Sequence, residues 1–448
     1  MTVTNLKKAI HKAYTYLVEN PVSIYPLVTF RIAFGILMLI STLRFWYNGW
    51  IEQLYLEPAF HFKYFGFYWI PSPSPLVIYS VFILLIVTCI CISLGLFYRA
   101  SIIAFFFLFS YTELIDATTY LNHYYFITIV SFVLIFLPAN RQFAIDANSP
   151  AHKSNLVPAW TINVLKFQLA VVYFYAGLAK LNYTWLFEAL PLKIWLPSNV
   201  HLPLIGELLS YNTTAYLFSW AGALFDLSII LLLIYKRTRF MAYLALIIFH
   251  LMTWYLFPIG MFPFVMIAST LIFFSEKSHE KFYSLFKPAV PQLQLEQSNK
   301  PSKIVLTALS VFISFQLLFP FRYLLYPGDL FWTEQGYRFS WRVMLMEKAG
   351  YATFTVEDGN GRKEIVDNTL YLSPFQEKMM STQADFILQY ANFLKDEYQQ
   401  QGFTKPKVYA DVFVTLNGLG SKRFINPAID LAVLKDNFAP KKFILPYQ

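Results

Sequence analysis

A lysine at the edge of a membrane-length apolar run is the residue of this chain best placed to do chemistry. Lys180 closes the hydrophobic stretch 157–181, seven residues after Tyr173. An ammonium group at that position must reach the membrane interface, find a partner or lose its proton. A lysine without its proton is an amine base. Lys180 is therefore either a general base or a side chain that extends to the interface.

Other polar residues lie in or beside apolar segments. Asn122 and His123 open one segment, Asp226 lies near the middle of a second, and His250 lies in a third. Three of them also have a structural interpretation: His123 as an interfacial histidine, Asp226 as a hydrogen-bond partner for another helix, and His250 as a packed core histidine. The seven histidines include no pair at metal-ligand spacing, and motifs for phosphate, dinucleotide or acyl chemistry are missing. We therefore expect no metal centre.

The composition is that of a polytopic membrane protein. Of 448 residues, 57% are hydrophobic and 14% charged, whereas soluble domains carry about 25% charged residues. The net charge of +9 does not indicate a nucleic-acid partner, because the basic residues lie in short loops between apolar segments. An aromatic cluster at residues 60–69 is typical of an interfacial belt, and it also suits the wall of a pocket for an apolar ring.

Nine apolar segments are candidates to cross a bilayer, which takes about 20 residues. They are residues 25–43, 75–97, 100–114, 120–137, 157–181, 214–235, 240–257, 260–274 and 303–326. Alternate connections, counted from the N-terminus, contain 14 lysines and arginines, and the other set contains 3. This asymmetry predicts a cytoplasmic N-terminus, and nine spans then place the C-terminus outside the cytoplasm.

The pattern changes after the last span. We predict a transmembrane domain over residues 1–330, in which 276–302 form a polar, proline-containing cytoplasmic linker. Residues 331–448 form a second domain, outside the membrane. In it, Asp358-Gly359-Asn360-Gly361 predicts a hairpin, 375–398 a helix and 408–416 a strand. The predicted architecture is thus about nine transmembrane helices followed by a small extramembrane α+β domain.

Several motifs occur in a fixed order along nearly the whole chain. Two of them are Asn122-His123-Tyr124-Tyr125 and Ala176-Gly177-Leu178-Ala179-Lys180-Leu181. The others lie at residues 94–99, 114–118, 225–228, 249–252, 259–266, 336–344 and 408–412. Each motif alone is weak, but the ordered series resembles the vitamin K-dependent γ-glutamyl carboxylase family of HTTM-domain proteins. The chain is similar to the short bacterial members of that family.

The resemblance implies an enzyme that uses a reduced vitamin K or menaquinone-type hydroquinone with O2 and CO2. In the family, the hydroquinone is oxygenated to its epoxide, and the strong base formed removes a γ-proton from glutamate in a protein or peptide. Capture of CO2 then gives γ-carboxyglutamate. The location implied is a bacterial inner membrane, among membrane lipids, with the C-terminal domain periplasmic or extracellular.

The same resemblance assigns roles to individual residues. The amine base of the family corresponds to Lys180, and the Asn-His pair that acts in carboxylation corresponds to Asn122 and His123. The expected cofactor-binding residues are Tyr173, His250 and Met261.

Two other functions remain open. The protein could be a quinone epoxidase that forms epoxide without carboxylating glutamate, or a non-enzymatic membrane scaffold that binds a partner protein. A transporter is disfavoured, because the sequence shows no inverted repeat and no matching pair of helices broken by glycine or proline.

Overall fold

A helical bundle precedes a smaller domain with strands in the computed structural model, which describes residues 3–148, 153–286 and 301–447. The helices of the bundle are α1 Val3–Tyr14, α2 Tyr25–Tyr47, α3 Pro75–Leu94, α4 Tyr98–Ile115, α5 Asn122–Phe136, α6 Trp160–Lys180, α7 Tyr183–Phe187, α8 Leu192–Trp195, α9 Gly206–Leu209, α10 Asn212–Ile234, α11 Arg239–Leu256, α12 Phe262–Ser269, α13 Glu276–Ser284 and α14 Lys303–Leu318. Turns of 3-10 helix extend α12 over Thr270–Phe273 and α14 over Phe319–Leu325.

Each of the nine predicted spans coincides with a helix of this bundle. Among the described residues, seven helices are able to cross a membrane by length and composition: α2, α3, α4, α6, α10, α11 and α14 with its extension. The remaining two spans correspond to the shorter apolar helices α5 and α12 with its extension. The prediction of a polytopic helical membrane protein is therefore confirmed.

The end of α3 shows how local sequence and a buried charge fix the bundle. Gly95 adopts a left-handed conformation (φ +62°) directly after the helix, where glycine is favoured. The buried side chain of Arg31, on α2, donates to the carbonyl of Ile92 in the last turn of α3 at 3.2 Å. Because the last carbonyls of a helix lack partners within it, this bond ties α2 to the end of α3.

A glycine on α6 lets α6 and α10 approach closely. A Cβ added at Gly177 on α6 would lie 2.8 Å from the side chain of Leu227 on α10. A Cβ at Gly222, on α10, would lie 4.0 Å from the Cε of Lys180. Gly177 therefore allows the last turn of α6 to pack against the middle of α10, whereas a Cβ at Gly222 would make only ordinary van der Waals contact.

Part of the predicted linker is a helix packed on the bundle. Helix α13 occupies the first residues of 276–302, and its His279 and Tyr283 side chains lie 2.9 and 3.2 Å from the hydroxyl of Thr29 on α2. The predicted linker therefore begins with a helix that packs on α2, and its cytoplasmic location stays a prediction. Residues 287–300 lie outside the described residues. Nearby, strand β1 Pro21–Ser23 pairs antiparallel with β2 Leu156–Pro158.

The second domain is a four-stranded antiparallel sheet covered by helices. Its strands are β3 Lys348–Glu357, β4 Lys363–Ile365, β5 Lys407–Leu416 and β6 Ser421–Arg423, in the order β4-β3-β5-β6. Its helices are α15 Leu330–Thr333, α16 Pro374–Met380 and α17 Ala384–Gln400. The predicted hairpin and the strand at 408–416 are confirmed.

The single helix predicted over 375–398 is wrong, because it is divided into α16 and α17 around Ser381 and Gln383. The Ser381 hydroxyl donates to the carbonyl of Gly350 in β3 at 3.0 Å. A Cβ at Gly350 would lie 2.8 Å from the Ser381 carbonyl oxygen. Close contact with the sheet therefore overrides a helical pattern that continues through the break.

Two connections of the bundle hold this domain. Phe60 and Phe62 pack in its hydrophobic core, and the ring of Phe62 lies 4.9 Å from that of Phe386. The Nε2 of Gln376, on α16, donates to Asp116 at 2.6 Å. The interfacial belt predicted for residues 60–69 is therefore wrong for the two phenylalanines, whereas Trp69 is 75% exposed.

Candidate active site

Lys180 ends α6 inside the protein. The residue is 7% exposed, and its Nζ lies 2.5 Å from Oδ2 of Asp226 on α10 and 3.4 Å from the carbonyl oxygen of Ala176. The lysine therefore does not extend to the interface. The prediction that Asp226 bonds to another helix is confirmed, and its partner is Lys180.

The chain turns immediately after Lys180 and places an indole beside it. Asn182 accepts a hydrogen bond from the main-chain N–H of Trp185 at 2.9 Å and caps α7. The indole N–H of Trp185 donates to the carbonyl of Ser219 on α10, also at 2.9 Å. The ring centroid then lies 5.5 Å from Nζ of Lys180, within the range of a cation–π interaction.

A cavity of about 400 Å³ adjoins Lys180, and we call it the lysine cavity. Most of its lining is aromatic or aliphatic. Its lining residues are Val172, Tyr173, Ala176, Lys180, Trp185, Leu192, Trp195, Leu217, Phe218, Ala221, Gly222, Asp226, Phe249, His250, Met252, Thr253, Phe257, Ile259, Phe262, Met266, Val343 and Met344. An apolar pocket of this size with a few convergent polar groups is typical of a small-molecule site.

Two of the predicted cofactor-binding residues meet in the lysine cavity. The hydroxyl of Tyr173 lies 2.7 Å from Nε2 of His250, and both residues are buried. His250 is thus a satisfied histidine that also lines a cavity. Met261 does not line this cavity with them.

A second cavity, of about 540 Å³, lies between the bundle and the C-terminal domain, and we call it the histidine cavity. The residues lining it that carry polar or charged side chains are Ser41, Arg44, Trp50, Tyr120, Asn122, His123, Tyr124, Glu334, Tyr337, Arg338, Arg342 and Gln383. Met261 lies in this wall as well. The structure therefore brings Asn122, His123 and Met261 together, apart from Tyr173 and His250.

The Asn122 amide is held by the C-terminal domain. Its Nδ2 donates to the main-chain carbonyl of Arg342 at 2.7 Å, and its Oδ1 accepts from the Tyr120 hydroxyl at 3.0 Å. The Tyr120 oxygen in turn accepts from the main-chain N–H of Phe339 at 2.7 Å. Among the described residues, the neighbouring imidazole of His123 has no hydrogen-bond partner and remains available to the cavity.

One layer of side chains separates the two cavities. Ile259, Phe262, Val343 and Met344 line both of them. The ring of Phe262 lies 5.7 Å from that of His123 and 6.0 Å from that of His250. The two groups of predicted site residues are therefore neighbours across Phe262.

Sequence reasoning missed two residues of this arrangement. Phe262 lies in the motif at residues 259–266, but nothing in that motif indicated that its ring separates two cavities. Arg44 could have been noticed, because a cation in the last turn of a span has no charged neighbour in the sequence. In the part of the chain that the structure describes, His, Cys, Asp and Glu side chains form no group of three that could hold a metal ion.

The bundle and its cavities define a polytopic membrane protein with a buried lysine–aspartate pair and an extramembrane α+β domain. Two family profiles match the chain: the HTTM domain over residues 19–277 and the lumenal domain of vitamin K-dependent gamma-carboxylase over residues 301–448. No solved structure matches it. The chain belongs to the vitamin K-dependent gamma-carboxylase family of HTTM-domain proteins, as its motifs indicated.

Proposed function

We propose that this protein is a γ-carboxylase-like enzyme that oxygenates a reduced naphthoquinone and carboxylates glutamate in a protein or peptide. One observation carries the proposal: an apolar cavity with a buried lysine shares a wall with a polar cavity that contains Asn122 and His123. Two substrates of opposite polarity could therefore occupy adjoining sites. The family to which the chain belongs supports the same reaction class.

The lysine cavity suits the ring of a vitamin K or menaquinone-type hydroquinone. Trp185, Phe249 and Phe262 offer aromatic surface, while the polar groups are few and converge on one space. With O2, a bound hydroquinone would supply a base stronger than any side chain of the protein. The apolar walls would keep water away from it.

The Lys180–Asp226 pair is suited to take a proton from a hydroxyl in this cavity. The pair has no net charge whether the shared proton is on Nζ or on the carboxylate. Gain of one proton leaves Lys180 as ammonium and Asp226 as carboxylic acid, which places one positive charge beside the oxygen that lost the proton. The hydrogen-bonded Tyr173 and His250 could orient the ring from the same wall.

Asn122 and His123 are the proposed residues of the glutamate side. The bonds of Asn122 to the C-terminal domain fix the start of α5, which also positions His123. The free imidazole can then contact the glutamate side chain and exchange a proton with it during carboxylation.

We also propose that the histidine cavity faces the extracytoplasmic side. The distribution of 14 against 3 basic residues between alternate connections supports a cytoplasmic N-terminus. The histidine cavity lies at the bundle end that carries the C-terminal domain, so an exported protein could reach it.

The test is a two-product assay on the purified protein. Reduced vitamin K-type and menaquinone-type quinones are supplied with O2, labelled CO2 and a glutamate peptide, and both epoxide and carboxylated peptide are measured. We expect both products from the wild type, neither from Lys180→Met, and epoxide with little carboxylation from His123→Ala.

Matched controls are Lys193→Met and His201→Ala, whose side chains line neither cavity. Epoxide without carboxylated peptide from the wild type would select the quinone epoxidase. Absence of both products would favour the non-enzymatic scaffold. Equal loss of both products in His123→Ala would contradict the division of roles.

A further inference from the structure

The histidine cavity has an excess of positive charge. Three arginines and one glutamate line it: Arg44, Arg338, Arg342 and Glu334. The Arg338 guanidinium lies 2.6 Å from Oδ2 of Asp385, and the Glu334 carboxylate lies 2.9 Å from Nζ of Lys348. Two of the four charges are therefore already compensated by partners in the C-terminal domain.

Arg44 is the cation of this cavity that lies beside His123. Its guanidinium carbon lies 4.8 Å from the ring centroid of Trp50, and its Nη1 would lie 3.7 Å from a Cβ at Gly260. Trp50, Gly260 and His123 line the same cavity. Within residues 3–148, 153–286 and 301–447, no carboxylate lies at ion-pairing distance from Arg44.

Arg342 adds to the positive charge but differs in its surroundings. Its guanidinium lies over the ring of Tyr323 at 4.4 Å, and its Nε is buried without a hydrogen-bond partner among the described residues. Its main chain is already used by Asn122. The Arg342 guanidinium is thus engaged by the ring of Tyr323. Arg44, which has no carboxylate partner among the described residues, shares the cavity wall with His123.

We propose that Arg44 binds the side-chain carboxylate of the substrate glutamate and holds it beside His123. The inference rests on the proposed function and names the residue that would select a carboxylate. The planar guanidinium matches a carboxylate with two parallel N–H···O bonds, and Trp50 holds it in place. A neutral amide side chain would leave the charge of Arg44 unpaired in a partly enclosed cavity.

The experiment measures peptide binding without quinone, so it does not depend on oxygenation. A short peptide with one glutamate, and the same peptide with glutamine instead, are titrated into the purified wild type, Arg44→Gln, Arg44→Lys and Arg99→Gln. Arg99→Gln removes the same charge from an exposed residue at the other end of the bundle. Only variants that unfold at the same temperature as the wild type are used for binding. If Arg44→Gln does not meet this condition, Arg44→Lys is used in its place.

We expect the wild type and Arg99→Gln to prefer the glutamate peptide by ~10-fold or more, as is usual for hydrogen bonds to a charged group. Arg44→Gln should lose this preference, and Arg44→Lys should keep only part of it, because an ammonium group does not form the paired bonds. A wild type that does not discriminate between the peptides, or an Arg44→Gln variant that still does, would overturn the proposal.

The two proposals fail separately. A wild type that makes epoxide and carboxylated peptide while Arg44→Gln keeps the glutamate preference would leave the enzymatic function standing and remove Arg44 from it. If binding prefers the glutamate peptide only when Arg44 is present, but neither epoxide nor carboxylated peptide is formed, the carboxylate site would stand and the enzymatic function would not.

Discussion

Removing one member of the Lys180–Asp226 pair should destabilise the protein more than removing both. The two side chains are 9% and 6% exposed, and Nζ and Oδ2 are 2.5 Å apart. Lys180→Met and Asp226→Leu each leave the other group without its partner. The double variant replaces both with apolar side chains of similar shape.

The expected magnitudes follow from the burial and the short distance. At an effective dielectric constant of ~20, unit charges at this separation attract each other by ~7 kcal/mol, which is largely offset by their lost hydration. Loss of one partner of a buried pair costs ~3–5 kcal/mol, whereas replacement of both partners is often neutral. We therefore expect each single variant to lose ~3–5 kcal/mol of unfolding free energy and the double variant to lie near the wild type.

The assay combines reversible unfolding in detergent with epoxide formation on the same preparations. The double variant should be stable and inactive, which separates the chemical role of the pair from its structural role. Lys193→Met is the control for loss of a lysine outside the cavity. A Lys180→Met protein as stable as the wild type would show that the pair is not buried as described, and an active double variant would remove it from the mechanism.

Three further predictions concern the surroundings of the site. Phe262→Ala should join the two cavities and admit water, so the amount of carboxylated peptide formed per epoxide should fall severalfold. Phe264, on the same helix, lines neither cavity, and Phe264→Ala should keep the wild-type ratio. Gly177→Ala should lower the unfolding free energy by ~1–3 kcal/mol, because its Cβ would lie 2.8 Å from Leu227. Gly222→Ala should be tolerated in the same measurement, because its Cβ would lie 3.9 Å from the ring of Trp185. Burial raises the pKa of Asp116 to about 6, against hydrogen bonds from Thr118 and Gln376 that lower it, so the folded protein holds this proton more tightly than the unfolded chain. The stability that the protonated Asp116 carboxyl contributes is complete below pH ~4 and is lost, by ~3 kcal/mol, as the pH rises through about 6. The difference in unfolding free energy between the wild type and Asp116→Asn should change with pH in the same way. A difference that does not depend on pH would contradict this prediction.

Hydropathy was sufficient to predict the bundle, because a bilayer demands about 20 apolar residues whatever the tertiary contacts are. The strand pairs were also readable, since a turn sequence such as Asp358-Gly359-Asn360-Gly361 acts locally. The errors arose where distant contacts decide the structure. Ser381 interrupts a helical pattern because it bonds to β3, and Phe62 leaves the expected belt because the C-terminal domain offers it a core.

The candidate site was likewise predictable only in part from the sequence. The chemical type of Lys180, Asp226 and His123 was visible in the sequence, because a polar side chain in an apolar segment needs a reason to be there. The pairing of Lys180 with Asp226 was not, since it depends on the rotation of two helices and on the space at Gly177. The position of Met261 on the other side of Phe262 from His250 likewise depends on how α12 packs.

The proposed reaction needs both a water-poor site and a site for a charged substrate, and neither cavity provides both. A base strong enough to remove a γ-proton from glutamate would be quenched by water, so we propose that it forms in the lysine cavity, where polar groups are few. Glutamate is charged and would bind where a cation such as Arg44 compensates it, in the histidine cavity. A reaction between the two therefore needs a contact across the layer that contains Phe262 and Met344. Because that layer is one side chain thick, rotation of a single ring could join the two sites.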